Sequence, residues 1–318
     1  MDCPARKLET DLNARLGRVV FGMENIVHGL CVALIARGHV LLEGVPGVGK
    51  TLLARTLSMQ LGGTFRRVQC TSDLMPADIT GVHVFNPQTG AFDFVRGPLF
   101  ADVVFVDEIN RTGPKTQSAL LEAMQEGTIT IDRESYALPE EFFVVASQNP
   151  HEFEGTYPLP ESQLDRFLVR LELDYPPADQ EASVLRTYDG PARWVDGRFL
   201  ETSESLSAEL LRSAREQMSS VHVSDALYDY VIRIAAATRN HPHVGLGLST
   251  RGALAAMRCA RAEAALLGRD FVTPDDVKVV TPSVTAHRLI LTADARLEGI
   301  TPAGIVADVL SKVEVPRQ

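Results

Sequence analysis

The stretch GVPGVGKT, Gly44 through Thr51, follows directly on the apolar run His39-Val-Leu-Leu, and no other feature narrows the fold of this chain as far. Its glycines let the backbone wrap with N–H groups turned inward, at the start of a helix whose dipole favours anions. The GxxxxGK[ST] pattern between a strand and a helix is a phosphate cradle. Gly44, Val45, Pro46, Gly47, Val48, Gly49, Lys50, Thr51 and Leu52 are therefore the candidate nucleotide-binding residues. Lys50 would reach the outer phosphates, and the Thr51 hydroxyl would ligate a magnesium ion.

Such a loop belongs in an α/β sheet, and the chain is patterned for one. Short apolar runs at Val40 to Leu42, Val103 to Val106, Phe142 to Ala146 and Phe167 to Leu173 alternate with helical stretches. That alternation predicts a parallel sheet with helices on both faces, a three-layer αβα domain. Ahead of it, Leu8, Leu12, Leu16 and Ile26, Leu30, Leu34 predict two amphipathic helices, with Gly38 as the C-terminal stop. Beyond Asp174, PPADQ and TYDGPARWVDGRF read as an exit helix and linker, and from about Ser205 the text is helical. Thr273 as cap, Pro274 at the first helical position and two acids in the first turn mark the start of the last long helix. Two domains are expected, residues 1–195 and 196–318, and 318 residues accommodate both. GVHVFNPQTGAFDFVRG and TITIDRESYALP alternate about turns and predict hairpins at about 82–98 and 128–138, outside the parallel core.

Composition removes several classes of function. With 31 basic against 41 acidic residues the net charge is −10, which disfavours wholesale neutralisation of nucleic-acid phosphates. No run approaches the roughly 18 apolar residues of a membrane span, and MDCPARKLETD lacks a secretory apolar core, so the cytoplasm is expected. Cys3, Cys31, Cys70 and Cys259 form no CxxC pair and read as packing residues in a reduced compartment. His241 and His243 are close in sequence but lack the further ligands a metal site requires.

The remaining chemistry clusters at strand ends. VVFVDEIN delivers two adjacent carboxylates to the sheet edge where ligands bind in such folds: Asp107 to hold the magnesium through water, Glu108 to polarise an attacking water. FFVVASQNP ends another buried strand in Gln148 and Asn149, whose amides could reach the γ-phosphate or serve only to turn the chain before Pro150. In QLDRF, Arg166 precedes a strand whereas the phosphate loop follows one. In a parallel sheet these are opposite edges, on the order of 17 Å apart, so a catalytic Arg166 would have to act on a neighbouring subunit. Arg251, in LSTRGALAAM, starts a helix where a cation is unfavourable unless it faces an anion; a γ-phosphate would serve, and a solvated arginine is the alternative.

GVPGVGKT, VVFVDEINR, SQNP, LDRF and STRGAL, in this order and with helices after the sheet, resemble the AAA+ ATPases. HVLLEGVPGVGKT, TSDLMPADITG, GPLFADVVFVDEINRTGPKTQSALLEAMQEG, LPESQLDRF and FVTPDDV are similar to phrases of the MoxR family, a likeness running from about Val20 to about Leu291. The resemblance implies ATP and Mg2+ as cofactors, Lys50 and Thr51 as Walker A, Asp107 and Glu108 as Walker B, Asn149 as sensor 1, Arg166 as arginine finger and Arg251 as sensor 2. It implies a sheet in which the Asn149 strand lies between the Walker strands, homo-hexameric rings, and hairpins facing the ring's pore. It further implies a von Willebrand factor A domain partner and chaperone-like remodelling, maturation or metal insertion of a protein client. On that reading the γ-phosphate meets Arg251 from the lid and Arg166 from the neighbour, and hydrolysis shifts the lid against the sheet domain. Alternatives are a magnesium-chelatase-like subunit and a nucleic-acid motor, the latter disfavoured by hairpin turns NPQTG and DRES with one basic residue between them. Phe21 and Met23 depart from the family's pattern where adenine is contacted, and Val45 replaces a frequent proline.

Overall fold

A run of apolar residues buried on both sides belongs inside a sheet, and the structure, a computed structural model that describes residues 3–132, 134–150, 155–189 and 205–316, places the runs there. In chain order the first unit comprises α1 (Pro4–Leu16), α2 (Glu24–Ile35), β1 (Val40–Gly44), α3 (Lys50–Leu61), β2 (Phe65–Gln69) and the short α4 (Pro76–Thr80). The hairpin β3 (Gly81–Asn86) and β4 (Ala91–Arg96) follows, then β5 (Val103–Asp107), α5 (Pro114–Glu126) and the hairpin β6 (Thr128–Ile131) and β7 (Glu134–Ala137). β8 (Phe143–Gln148), the short α6 (Glu161–Leu164), β9 (Val169–Leu173) and α7 (Ala178–Tyr188) complete it. The second unit holds α8 (Ala208–Ser220), α9 (Asp225–Arg239), β10 (Val244–Leu246), α10 (Thr250–Leu266), α11 (Pro274–Thr285), β11 (Ile290–Leu291), α12 (Ala293–Leu297) and α13 (Pro302–Lys312).

The main sheet has five strands in the order β2-β5-β8-β1-β9, all parallel. The strand that precedes Asn149, β8, therefore lies between the two Walker strands, as the resemblance implies. β2 was missing from the sequence reading. In FRRVQ only Val68 is buried, because this strand forms the sheet's edge and its arginines stay in water.

Leu8, Leu12 and Leu16 are fully buried, the stripe their spacing predicts. α2 is buried over more of its circumference, from Val27 to Ile35, since it is packed between β9 on one side and α1, α8 and α10 on the others. The stop after α2 differs from expectation. Arg37, not Gly38, takes the left-handed conformation (φ 50°), and the Gly38 N–H bonds back to Ala33 O at 2.9 Å. Gly38 is required for space instead: a Cβ there would lie 2.3 Å from Leu168 Cδ2.

Among the described residues the C-terminal unit is mainly helical, with a small antiparallel pair, β10 with β11, and a bridge from His222 to Phe271, so the chain beyond Ser205 is not wholly helical. The Thr273 cap forms as expected, closed by Asp276 in a capping box that Arg269 also bonds. Both hairpins form, and they lean on one another: Phe94 stacks on Tyr136 at 4.2 Å between centroids, and His83 bonds Asp132 and Tyr136. The proposed boundary at 195/196, most of the linker text and Arg133 of DRES lie outside the described residues.

The second unit docks on a specific part of the first. Arg258 of α10 bonds the carbonyls of Ala36 and Arg37, Arg215 of α8 bonds Leu34 O and Glu141, and Leu206 N bonds Gln60 O. All of these groups sit at the N-terminal ends of β1 and β8 or at the C-terminal ends of α2 and α3. His28 joins α2 to both neighbours, with Glu9 of α1 on Nδ1 at 2.6 Å and Glu263 of α10 on Nε2 at 2.7 Å.

Candidate functional site

β1 ends at Gly44, which approaches β9 so closely that a Cβ would lie 2.3 Å from Leu173 O. The loop then turns through Gly47 (φ 84°) and Gly49 (φ 87°), conformations that side-chain-bearing residues rarely adopt. α3 starts at Lys50 with no side-chain cap, which leaves the first-turn N–H groups, those of Thr51 and Leu52 among them, facing the cradle. These features fit a phosphate group. Lys50 is buried and donates to Gly44 O at 2.5 Å. Burial lowers its ammonium below the ordinary lysine range, opposed by Asp107, Glu108 and Glu43. Val48 is buried, Pro46 is exposed and Val45 packs at the edge of the core. The Phe21 to Met23 segment passes beside the loop, with Met23 Cε 3.7 Å from a Cβ built at Gly49.

The carboxylates stand across the cradle, at the end of β5. Asp107 is almost fully buried; its Oδ1 accepts from Ser147 Oγ at 2.7 Å and its Oδ2 from Arg67 Nη2 at 2.6 Å. Ser147 Oγ in turn accepts from the Glu108 N–H at 2.9 Å. Glu108 itself is left-handed (φ 57°, ψ 54°), a strained state for this residue type that costs about 1–3 kcal/mol and aims its carboxylate out of the strand's line. Arg111 lies 3.2 Å from that carboxylate and Gln69 Nε2 3.4 Å from it. Asn149 directly follows β8, one position beyond Gln148, at the end of the strand that lies between β5 and β1. The hydroxyl of Thr51, with Asp107 acting through water, would suit Mg2+, which keeps several waters and takes the rest of its shell from phosphate.

Ser147, Arg67 and Gln69 escaped the sequence reading. The signal for Ser147 was a lone hydroxyl in the apolar strand FVVASQ, two positions before Asn149 and hence on the same face. Arg67 and Gln69 belong to the strand that was itself missed.

Arg166 is elsewhere. It precedes β9, and since Val40 pairs with Val169 and Gly44 with Leu173, it lies a strand's length, about 17 Å, from its own phosphate loop. Its Nη1 donates to Leu121 O at 2.7 Å. Arg251, on the first turn of α10, lines the same cavity of about 400 Å³, together with Arg37, His39, Arg258, Arg288 and Asp165. The expectation that Arg251 reaches the γ-phosphate of its own chain is thereby corrected. The reason is tertiary: the C-terminal helices dock on the N-terminal edge of the sheet, not over the loop.

Comparison with known proteins agrees with this geometry. A family model described as "ATPase family associated with various cellular activities (AAA)" matches residues 39–169, and an "AAA lid domain" model matches residues 236–309. Chaperone MoxR1 of Mycobacterium tuberculosis is 40% identical over 94% of this chain and 80% of its own. The chain belongs to the MoxR family of AAA+ ATPases. YeaC of Bacillus subtilis is 45% identical over 95% of this chain and 93% of its own. A solved structure from Cytophaga hutchinsonii, 36% identical, covers 98% of this chain and 96% of its own with a TM-score of 0.88. As a MoxR-type AAA+ ATPase the chain binds a nucleotide and hydrolyses it. The first matched model runs from just before β1 to the start of β9 and contains Gly44 to Leu52, Arg67, Gln69, Asp107, Glu108, Ser147, Asn149 and Arg166, while Arg251 falls in the residues matched by the second. None of the described helices is long and apolar enough to cross a membrane.

Proposed function

We propose that this MoxR-family ATPase hydrolyses ATP at the seam between adjacent copies of a homo-hexameric ring and uses the resulting movement to remodel or mature a protein client. One copy supplies the loop Gly44 to Leu52, Asp107 and Glu108, with Asn149 beside the γ-phosphate. The neighbour supplies Arg166 and Arg251. The observation that carries the reading is the single cavity shared by these two arginines at the sheet edge remote from the loop. Mg2+, held by Thr51 and Asp107, would neutralise charge on the β- and γ-phosphates. Glu108 accepts the proton of the attacking water, Asn149 orients that water or the γ-phosphate, and Ser147 keeps Asp107 and the Glu108 backbone in register. ATP before hydrolysis and ADP after it make different contacts with the neighbour's arginines, the differential energy a mechanical switch needs.

The hairpins offer the surface for the client. Val84, Phe85 and Phe92 are exposed at 48%, 52% and 68%, more apolar surface than a hairpin needs for its own stability, and Phe85 pairs edge-on with Phe92 across the strands. A pore lined by six such hairpins would grip apolar polypeptide. A von Willebrand factor A domain protein is the expected adaptor, metal insertion is one maturation it could direct, and the cytoplasm is the expected compartment.

Mixing subunits tests the seam. Arg166→Ala and Lys50→Ala rings should each be nearly inactive, while mixtures regain turnover because an intact loop meets an intact arginine edge at some interfaces. Arg251→Ala should behave like Arg166→Ala in the same mixtures. Activity that stays dead at every ratio, or full turnover by a dilute monomer, removes the reading.

A further inference from the structure

We propose that Asp165 and Arg288 form a yoke that holds Arg166 and Arg251 as one two-pronged element, so that a neighbour's nucleotide meets both arginines together or neither. This deepens the reading above and rests on its shared nucleotide. Asp165 immediately precedes Arg166 and joins it to the C-terminal helices through both carboxylate oxygens. Oδ1 accepts from Arg288 Nε at 2.6 Å, and Oδ2 accepts from Ser249 Oγ at 3.3 Å. Ser249 is the residue that caps α10, accepting from Gly252 N at 3.0 Å, two positions before Arg251. One carboxylate thus touches the backbone neighbourhood of both functional arginines, although they are 85 positions apart in sequence (251 − 166).

Arg288 makes the joint rigid. Its side chain is 3% exposed, and its guanidinium bonds carbonyls on both sides of Arg166: Asp165 O at 3.3 Å, Phe167 O at 2.6 Å and Leu168 O at 3.1 Å. A further bond to Val284 O ties it back to the end of α11. α10 leans on the same side chain, since a Cβ at Gly252 would sit 3.0 Å from Arg288 Cδ. A buried guanidinium whose donors are all committed cannot release part of its set without stranding a charge and several carbonyls. Arg166 and Arg251 therefore cannot be repositioned independently. The C-terminal helices and the QLDRF segment move as one body, and the mobile joint is the one between copies.

The test uses intact rings. Asp165→Ala should lower kcat about 100-fold, the scale of an ångström-level misplacement of catalytic groups. Binding of a fluorescent ATP analogue to the variant's own loop, measured in a Glu108→Gln background with the variant a minority among Asp165-intact subunits so that its neighbour's arginines are in place, should be unchanged. Turnover should return on mixing with Lys50→Ala subunits, whose yoke is intact. Added to Arg166→Ala with Arg251→Ala, it should lower kcat no further, as expected of groups acting as a unit. A kcat within about 2-fold of the parent, loss of own-loop ATP binding, or a further fall in the triple variant each overturns the yoke. If Asp165→Ala no longer assembles, the isosteric Asp165→Asn carries the same test: a smaller fall rescued by Lys50→Ala supports the yoke, and a fall without rescue overturns it. Failure of Arg166→Ala and Lys50→Ala to complement would instead remove the shared-nucleotide reading, while complementation there without rescue of the Asp165 variants removes the yoke alone.

Discussion

The two ends of the main sheet are built on different principles. At the C-terminal edge the phosphate loop, Asp107, Glu108 and Asn149 are each delivered by the strand that immediately precedes them, so their placement follows from local chain geometry plus strand order. At the N-terminal edge Arg166 and Arg251 meet only because α10 and the Ala286–Arg288 turn dock there, through Arg258, Arg288 and Ser249. The first edge is a set of strand ends. The second is an interface between two units of one chain, and its geometry depends on contacts more than a hundred residues apart in sequence. On the proposed function, chemistry that needs a metal and a base is kept where the backbone alone can aim the groups. The cations proposed to complete it are mounted where they can face another copy.

Damage to the two edges should accordingly differ in kind. The largest effect is expected from Glu108→Gln, which keeps the shape of the strand end and removes the base: hydrolysis should fall by 10²–10⁴-fold with ATP still bound. Undiminished phosphate release would take Glu108 out of its role. A smaller effect is expected from Ser147→Ala, which strips one hydrogen bond from the buried Asp107 carboxylate and one acceptor from the Glu108 N–H. Leaving those groups unpaired should cost about 1–3 kcal/mol, equivalent to roughly 5–150-fold in turnover if all of it falls on the transition state. A kcat equal to the parent's in steady-state assays would show that Arg67 and the strand suffice to hold the carboxylates.

The smallest effect concerns the docked edge and is a matter of pH. Hydrogen bonds to Glu263 and Glu9 raise His28 from 6.5 to about 10, against the opposing effect of burial. A folded-state pKa above the unfolded one means that the contribution to stability is complete below about pH 6.5 and is lost as pH rises through 10. His28→Ala should therefore lower the melting temperature by roughly 2–4 °C at pH 6, with the gap closing toward pH 10. A gap that widens with pH would mean the triad does not bind α1, α2 and α10 through charge.

Much of this was legible in the residues. The four apolar runs, the loop, the two carboxylates and the two hairpins could be located because each depends on a local pattern: alternation, glycine placement, or a strand that stops at a polar residue. Arg166 was assigned to the edge opposite the loop by strand direction alone, and the register of β9 against β1 agrees. β2 was overlooked because an edge strand needs only one buried residue, Val68, and so carries no apolar run. The helix stop at Arg37 was overlooked because left-handed arginine has no sequence signature, whereas Gly38 advertises one that it does not use.

By itself, then, the order of residues determined that a nucleotide loop would stand at one end of a parallel sheet, with strands ending in acids and an amide at that same end, since those outcomes depend on neighbours a few positions apart. Which end of the sheet receives the C-terminal helices was decided only in the folded molecule. Docking is settled by scattered pairs, such as Arg258 with Ala36 O and Arg288 with Asp165, that sum over distant parts of the chain and leave no periodic trace in either partner. That choice moves Arg251 from its own chain's phosphates to the side of Arg166.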